Sequence, residues 1–177
     1  MNGLFTGYYP NGSVEMRGTY SNDSLQGEYL HYFPSRVKGV EQGVLVEKGS
    51  YKNNERIGTW SSYYPDGTLF TTGNYSNGKF DGIWKVYFQN GKMKQLGAYA
   101  NGIETGKWTF YHDNGNVYME GNYMAGKKEG EWIENYNTGT IKFKYNCKSN
   151  VFDGKMFAYD AAGKIIDEKY YEKGLQK

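Results

Sequence analysis

The sequence predicts an all-β fold built from tandem β-hairpins, and three observations carry that prediction. A unit of 24 residues recurs along the 177-residue chain, and such fixed-period self-similarity is typical of repeat architectures. Each unit contains two turn signals, which are Asn-Gly or Asp-Gly pairs or close equivalents. The segments between the turns are rich in tyrosine, phenylalanine and tryptophan, which favour strands.

The unit is clearest in its third copy, which reads Gly-x-Trp-x-x-Tyr-Tyr-Pro-Asp-Gly and then Gly-x-Tyr-x-Asn-Gly. The spacing between copies is 24 residues except from the second to the third, where it is 31. We therefore predict a single array of seven hairpin repeats over residues 1–177, with an insertion near residues 36–47. The copies start at Gly3, Gly27, Gly58, Gly82, Gly106, Gly130 and Gly154.

The first turn of each unit is predicted to be a two-residue type I′ turn, because Asn-Gly and Asp-Gly are the strongest short-range signals for it. With residues 66–67 in the loop, Trp60 pairs with Gly73 and Tyr64 pairs with Leu69. The ring of Trp60 is then expected to lie over Gly73 of its own hairpin. A ring in this place stabilises a strand that its glycine would otherwise weaken.

Side chains alternate between the faces of a strand, so aromatic residues fall on both sides of each hairpin. The tryptophan row either packs neighbouring hairpins together or stays exposed, and the glycine opposite each ring favours packing. Tyrosines on the opposite face are better candidates for contacting a partner, because tyrosine offers a large contact area at low entropy cost. The insertion is expected to form a longer, protruding hairpin that is either functional or simply tolerated. The candidate partner-binding residues are Tyr8, Tyr63, Tyr87, Tyr111, Val40 and Leu45.

The unit resembles the MORN repeat (membrane occupation and recognition nexus), in its bacterial variant. The resemblance covers nearly the whole chain and is strongest from Gly58 to Trp132, whereas Tyr145, Cys147 and Lys169 depart from the pattern. It implies an elongated, twisted, antiparallel β-meander of about 14 strands in a single sheet. It also implies a non-catalytic protein, since the family is associated with scaffolding, self-association and phospholipid contact. Bacterial members are often described as antitoxins or immunity proteins.

No constellation in the sequence predicts catalysis, a metal or a cofactor. The chain has two histidines, and His112 occupies the repeat position held elsewhere by Tyr64, which indicates packing. Cys147 occupies a tyrosine position in the same way, with no partner base nearby in sequence. Metal-ligand spacings and a phosphate-binding loop are absent. We therefore expect no enzyme, no metal and no cofactor.

The composition of the chain limits the classes of partner that it is expected to bind. The 21 basic and 19 acidic residues are interspersed, which argues against a nucleic-acid surface. A lone cysteine and the lack of a signal-peptide pattern predict a cytoplasmic chain.

The function that follows is a protein-binding or scaffolding module, with neutralisation of a partner toxin as its specific version. The alternative is an adaptor that grips membrane lipid or cell-wall glycan with exposed aromatic residues. Self-association is expected at the amino-terminal edge strand, because the last strand carries many charges that protect an edge from pairing.

Overall fold

A computed structural model describes residues 1–36 and 41–177, and this part of the chain is all-β, with fifteen strands and no helix. The contacts group the chain into two compact units, Met1–Gly91 and Lys92–Lys177. Within each unit every strand pairs antiparallel with its neighbours in the chain. The predicted antiparallel meander of hairpin repeats is confirmed. The strand beyond the predicted 14 is a two-residue strand near the carboxyl end.

The amino-terminal unit contains seven strands, which are β1 Gly3–Tyr8, β2 Val14–Ser21, β3 Ser24–Tyr32, β4 Leu45–Lys52, β5 Glu55–Tyr63, β6 Leu69–Ser76 and β7 Lys79–Tyr87. The carboxy-terminal unit contains eight, which are β8 Met93–Ala100, β9 Ile103–Tyr111, β10 Val117–Met124, β11 Lys127–Asn135, β12 Ile141–Lys148, β13 Val151–Tyr159, β14 Ile165–Glu172 and β15 Leu175–Gln176. From β3 to β13 the odd strands begin three residues before a repeat glycine, so each of them runs through a repeat boundary.

The turns that close each repeat are the two-residue type I′ turns of this fold. Ser76 pairs with Lys79, and the two loop residues between them, Asn77 and Gly78, have φ of 48° and 73°. Positive φ at two consecutive positions is what a type I′ turn requires and what asparagine and glycine tolerate best. The equivalent turn between β10 and β11 places Ala125 at φ 50°, although alanine has no such preference.

The first turn of each repeat differs from the prediction. Gly67 N–H donates to Tyr64 O at 2.9 Å, and Tyr64 N–H donates to Thr68 O at 2.8 Å. Gly67 has φ 87°, whereas Asp66 has no positive φ. This is a three-residue loop, with a type I turn followed by a glycine bulge, and the predicted two-residue type I′ turn is wrong here. Pro65 favours this outcome because proline suits the second position of a type I turn.

The longer loop changes the pairing only beside the turn. Tyr63, not Tyr64, pairs with Leu69, whereas Trp60 pairs with Gly73 as predicted. The register shift falls between Ser62 and Tyr63, where Phe70 has no partner of its own, and this second bulge offsets the extra residue of the loop. The body of the hairpin is therefore in the register that the sequence predicted.

Pairing between successive repeats contains a bulge that the sequence analysis did not identify. In the third copy, residues 58–60 lie opposite the single residue Gly49. A strand bends at such an irregularity, and its side chains are re-aimed. Gly58, the repeat's opening glycine, has φ 63° within β5, a conformation that L side chains rarely adopt. The opening glycines with positive φ are Gly3, Gly27, Gly58, Gly82, Gly106, Gly130 and Gly154.

Candidate functional site

The tryptophan row packs the repeats together. Trp60, Trp108 and Trp132 are 3%, 2% and 0% exposed. A Cβ built on Gly73 would lie 1.9 Å from Cε3 of Trp84, which belongs to the following repeat. The ring expected over Gly73 was that of Trp60, from the same hairpin, and this expectation is wrong. The bulge before each tryptophan re-aims its ring across the boundary to the preceding repeat.

The same packing recurs along each unit. Trp60 covers Gly49, and Trp132 covers Gly121, with the ring 2.2 Å from the added Cβ position in both cases. Neither glycine can therefore be replaced without moving a buried indole. At the boundary between β12 and β13 both residues of the glycine–tryptophan pair are different. Tyr145 takes the place of the glycine, and Met156, which pairs with it, takes the place of the tryptophan.

A cation lies over two of these rings. The guanidinium carbon of Arg56 lies 3.9 Å from the Trp60 ring centroid, and the Arg56 guanidinium also pairs with Glu47 at 2.8 Å. Lys128 Nζ lies 4.2 Å from the Trp132 ring centroid. Such cation–π contacts stabilise both partners. These rings are used inside the array and are not free to hold a ligand.

The indole nitrogens are not equally satisfied. Trp60 Nε1–H donates to Ser50 O, and Trp108 Nε1–H donates to Ala98 O, both at 3.2 Å. Trp132 Nε1 is buried and has no hydrogen-bond partner among the described residues. A buried donor without a partner lowers stability. Of these three tryptophans, Trp132 is therefore the one whose indole N–H lacks a hydrogen bond.

Each of the four candidate tyrosines is the last residue of its strand and lies next to the first turn of its repeat. Tyr8 is 61% exposed, whereas Tyr63, Tyr87 and Tyr111 are half-buried. The backbone carbonyl of Tyr87 accepts a hydrogen bond of 2.9 Å from the hydroxyl of Tyr64 in the preceding repeat. The backbone of Tyr87 therefore joins one repeat to the next, while the ring of Tyr87 remains partly accessible.

The same hydrogen bond between repeats occurs in the carboxy-terminal unit. Tyr136 Oη–H donates to Tyr159 O at 2.8 Å. His112 takes the tyrosine position, with Nε2 3.1 Å from Asn135 O and its ring 5.1 Å from that of Tyr118. A carbonyl oxygen can only accept a hydrogen bond, so Nε2 of His112 is the donor and carries the proton. The histidine has the packing environment that the repeat position predicted.

Described residues on both sides of positions 37–40 in the second repeat contact the first repeat. Val14 N–H donates to Glu41 O at 2.7 Å, and Ser35 N–H donates to Ser13 Oγ at 3.2 Å. Ser13 and Val14 are 3% and 2% exposed as a result. Loop residues from the second repeat are therefore held against the turn of the first repeat. Residues 37–40, which the expected protruding hairpin would include, lie outside the residues that the structure describes.

The two site residues expected in the insertion have different outcomes. Leu45 opens β4 and pairs with Tyr32, so it belongs to the regular sheet and the insertion ends before it. Phe33 N–H donates to Val44 O at 2.7 Å and closes the loop just outside this pair. Val40 lies outside the residues that the structure describes.

An apolar groove lies where this loop meets the turn of the third repeat. Its volume is about 610 Å³. Val44, 40% exposed, forms one wall, and its Cγ1 lies 3.7 Å from the Cβ position of Gly67 in the neighbouring turn. No spacing in the sequence indicates this groove, although Pro34 and Pro65 in its lining are residues typical of turns. The lining residues are Phe33, Pro34, Ser35, Arg36, Gln42, Gly43, Val44 and Pro65.

Titratable groups in the core of the carboxy-terminal unit are held neutral. Burial raises the pKa of the Cys147 thiol, an effect that Lys128 opposes and Glu129 reinforces. Burial, with Cys147 and Glu134 nearby, raises the pKa of Tyr145 to about 12. Neither group is activated as a nucleophile, since activation needs a lowered pKa or an adjacent base. The described residues contain no group of three or more His, Cys, Asp or Glu side chains placed to hold a metal ion.

A helix long and apolar enough to cross a membrane is not found in the described part of the chain.

Fold and packing place the chain among the proteins built from tandem β-hairpin repeats. The family model described as MORN repeat variant matches residues 1–22, 56–77, 80–101 and 104–124. These four stretches are thus repeats of the MORN variant, and repeats of this kind are generally associated with protein or membrane binding. A search of the curated proteins gives no match.

Proposed function

We propose that this chain is a non-catalytic binding module whose partner is another protein, and that the partner's apolar segment docks in the groove between the insertion loop and the third repeat. The observation that supports this proposal most directly is the groove itself. It lies at the insertion, the one place where the 24-residue period is broken. It is walled by Phe33, Pro34, Val44 and Pro65.

The described loop residues that form one side of the groove are bonded to other repeats. Bonds to Ser13 and Val14 fix it to the first repeat, and Val44 rests against the turn of the third. A preformed apolar concavity loses less conformational entropy on binding than a flexible loop does. The half-buried Tyr63 ends the strand two residues before Pro65, and we include its ring in the proposed contact surface.

The specific version of this function is neutralisation of a partner toxin, as in the bacterial members of the family. A toxin partner would be a protein encoded beside this chain, and its mixture with the 177-residue chain should co-elute from a sizing column. Deleting the gene for this chain alone should be lethal or strongly growth-inhibiting. Separate elution together with a viable deletion strain would exclude the toxin version and leave the binding function standing.

The groove is tested by Val44→Glu, because a carboxylate on its wall would be desolvated by an apolar partner segment. We expect at least about a tenfold loss of affinity for a purified partner, measured by calorimetry. The matched control is Ile83→Glu, since Ile83 is 53% exposed in the same unit but does not line the groove. Equal affinity for both variants and the unmodified chain would refute groove binding.

The second candidate is an adaptor for membrane lipid or cell-wall glycan. It is favoured by the exposed ring of Tyr8 and by the family's association with membranes. Co-sedimentation with vesicles containing anionic lipid, and with insoluble peptidoglycan, distinguishes it from protein binding. Tyr8→Ser should abolish sedimentation if this reading is right, whereas Val44→Glu should not.

The absence of catalysis and a cytoplasmic location belong to the same proposal. The lack of a catalytic constellation in the sequence supports the first, as do the neutral state of Cys147 and the packing of His112, and the single cysteine supports the second. Expression of a fluorescent fusion in the source cell tests the location, and fluorescence confined to the envelope would refute it.

A further inference from the structure

A single repeat position determines what lies beside each tryptophan ring. It is the residue two places before the opening glycine of a repeat, and we call it the boundary position. This residue pairs with the strand before it, as Arg56 does with Tyr51 and Glu104 with Tyr99. A tryptophan, or methionine in the seventh repeat, follows four residues later. From the third repeat to the seventh, the boundary position holds Arg56, Phe80, Glu104, Lys128 and Phe152.

Two residues at the boundary position place a cation on the tryptophan that follows. Cζ of Arg56 lies 3.9 Å from the centroid of the Trp60 ring and 5.6 Å from that of the Tyr75 ring. Nζ of Lys128 lies 4.2 Å from the centroid of the Trp132 ring. The faces of aromatic rings carry partial negative charge and attract cations. These two tryptophans therefore receive their cation from the chain itself.

Two other residues at the boundary position supply a further ring. The centroid of the Phe80 ring lies 4.4 Å from that of Trp84, and the centroid of the Phe152 ring lies 5.1 Å from that of Tyr145. Edge-to-face aromatic pairs of this kind are favourable. Glu104 is thus the one residue of the five that brings neither a cation nor a ring.

The aromatic side chains around Trp108 are arranged as they are around Trp60. The rings of Tyr99 and Tyr123 meet the Trp108 ring edge to face, with centroids 5.1 Å and 5.7 Å away. Two tyrosines at the same repeat positions flank Trp60, with centroids 5.1 Å and 6.0 Å away. The set of rings that holds a cation at Trp60 is therefore also present at Trp108. We refer to Tyr99, Glu104, Trp108 and Tyr123 as the Trp108 cage.

The carboxylate of Glu104 lies close to both tyrosines of this cage. Burial raises the pKa of the Tyr99 and Tyr123 hydroxyls, and the negative charge of Glu104 raises each of them further. Oε2 of Glu104 is 3.6 Å from the Cβ position of Gly126. Glu104 is half-buried, and among the described residues its side chain has no hydrogen bond or ion pair. Taking a carboxylate partly out of water without a partner is unfavourable.

Two lysines of the neighbouring sequence are bound to other groups. Lys128 lies on the ring of Trp132. Lys107 forms an ion pair with Glu120, in which Nζ and Oε2 are 2.8 Å apart. Neither lysine pairs with Glu104. A cation from outside the chain would give this carboxylate a counter-ion, which a partly desolvated charge needs.

We propose that the Trp108 cage binds the ammonium or guanidinium group of a lysine or arginine side chain of a protein partner. The cation takes the place that Arg56 has on Trp60, with Glu104 as its counter-ion. Because the Trp108 ring is 2% exposed, neighbouring side chains turn aside as the cation enters. A basic side chain suits this narrow access, since its charge stands on a slender stem, as it does in Arg56 and Lys128. Only the choice of a protein as the source rests on the proposed function.

The test titrates single side chains into the isotopically labelled 177-residue chain. The probes are N-acetyl-argininamide and N-acetyl-lysinamide, and N-acetyl-glutaminamide is the neutral control. Indole N–H signals in NMR spectra report each tryptophan separately. Both cationic probes should shift the Trp108 signal in a saturable way, whereas the neutral control should not. The signals of Trp60 and Trp132 should not respond, because these rings already carry a cation.

Charge exchange at the boundary position tests the role of the carboxylate. Glu104→Gln removes the counter-ion and should weaken probe binding about tenfold. Glu120→Gln is the matched control, since Glu120 is a carboxylate of the same unit that pairs with Lys107. Glu104→Lys supplies a cation from the chain itself, so it should abolish probe binding and raise the midpoint of urea unfolding. Lys128→Glu should make the Trp132 signal respond to the probes.

Three results would overturn the proposal. One is a Trp108 signal that neither cationic probe shifts. Another is a Glu104→Gln variant that binds the probes as tightly as the Glu120→Gln variant does. The third is tighter binding of choline than of either side-chain probe, which would assign the cage to quaternary ammonium groups such as those of lipid headgroups. Circular dichroism confirms in each variant that the fold is retained.

The cage and the groove can fail separately. The probes are single side chains, so their binding involves neither the groove nor a partner protein, and Val44→Glu should leave it unchanged. With a purified partner, Glu104→Gln should lower the affinity about tenfold, whereas Glu120→Gln should not. Full affinity of the Glu104→Gln variant for that partner would refute a basic side chain in the cage and leave the proposed binding function standing.

Discussion

Replacing Gly121 with alanine should destabilise the carboxy-terminal unit, although alanine is ordinarily the better strand residue. Glycine within a strand costs about 0.5–1 kcal/mol relative to alanine, so strand formation alone predicts a gain. The added methyl group would lie 2.2 Å from Cδ2 and 2.4 Å from Cε2 of Trp132. The sign of the change in the free energy of unfolding therefore reports whether the ring covers the glycine.

The magnitude follows from the packing around Trp132. Carbon atoms in contact prefer separations of about 3.5–4.0 Å, so the ring must move by more than about 1 Å. Trp132 is fully buried and has little room to move. Overpacking of a core by one methyl group costs about 1–3 kcal/mol. After the gain in strand propensity, we expect a net loss of about 1–2 kcal/mol.

A double-mutant cycle identifies the ring that is responsible. Urea unfolding followed by circular dichroism gives the free energy for Gly121→Ala alone and in combination with Trp132→Met. Methionine is the residue that pairs with Tyr145 at the next boundary, where the glycine is also absent. In the Trp132→Met background the cost of Gly121→Ala should disappear. In a Trp108→Met background it should persist, since the Trp108 ring lies over Gly97.

The opposite pattern would refute the packing of rings across repeat boundaries. If the cost of Gly121→Ala were removed by Trp108→Met and not by Trp132→Met, the ring over each glycine would belong to the same hairpin. A net stabilisation by Gly121→Ala in the unmodified chain would show that no ring lies over this glycine at all.

Three further predictions concern other positions. The pKa of Tyr145 is raised to about 12 in the folded chain. The free energy of unfolding should therefore be unaffected by this group below about pH 10 and fall by up to about 2–3 kcal/mol as the pH rises to 12, because the unfolded chain loses the proton first. Tyr145→Phe should reduce this loss in alkaline urea titrations, and an unchanged pH profile would contradict it. Gly58→Ala should cost about 1–2 kcal/mol because φ is 63° there, whereas Thr59→Ala beside it should change the unfolding midpoint little; equal effects would count against the boundary bulge. Ala125→Asn should raise the unfolding free energy by about 0.5–1 kcal/mol because alanine is strained at φ 50°, and destabilisation would argue against a type I′ turn at this position.

Much of the fold could be predicted because its signals are local. The period of 24 residues, the two turns in each unit and the pairing of Trp60 with Gly73 all follow from residue spacing. Asp66-Gly67 was misread because an Asp-Gly pair suits both a type I′ turn and a type I turn with a glycine bulge. The two turns differ by one residue of loop length. Pro65 before the pair was the signal that distinguishes them.

The candidate site was predicted less well, since it depends on contacts between repeats. Tyr63, Tyr87 and Tyr111 end their strands in comparable half-buried positions, but the groove beside Pro65 comes from a loop of another repeat. Backbone bonds from Glu41 and Ser35 to the first repeat hold that loop in place. No spacing within the sequence indicates where an irregular loop will dock.

The sequence by itself determined that this protein is an array of β-hairpins, because turn chemistry and side-chain alternation act over a few residues. The tertiary structure decided which aromatic ring covers which glycine. Gly73 pairs with Trp60 on one side and Trp84 on the other, and pairing alone does not choose between them. The bulge at the opening glycine of each repeat makes the choice, since it turns the ring towards the preceding repeat and thereby joins neighbouring hairpins through their side chains.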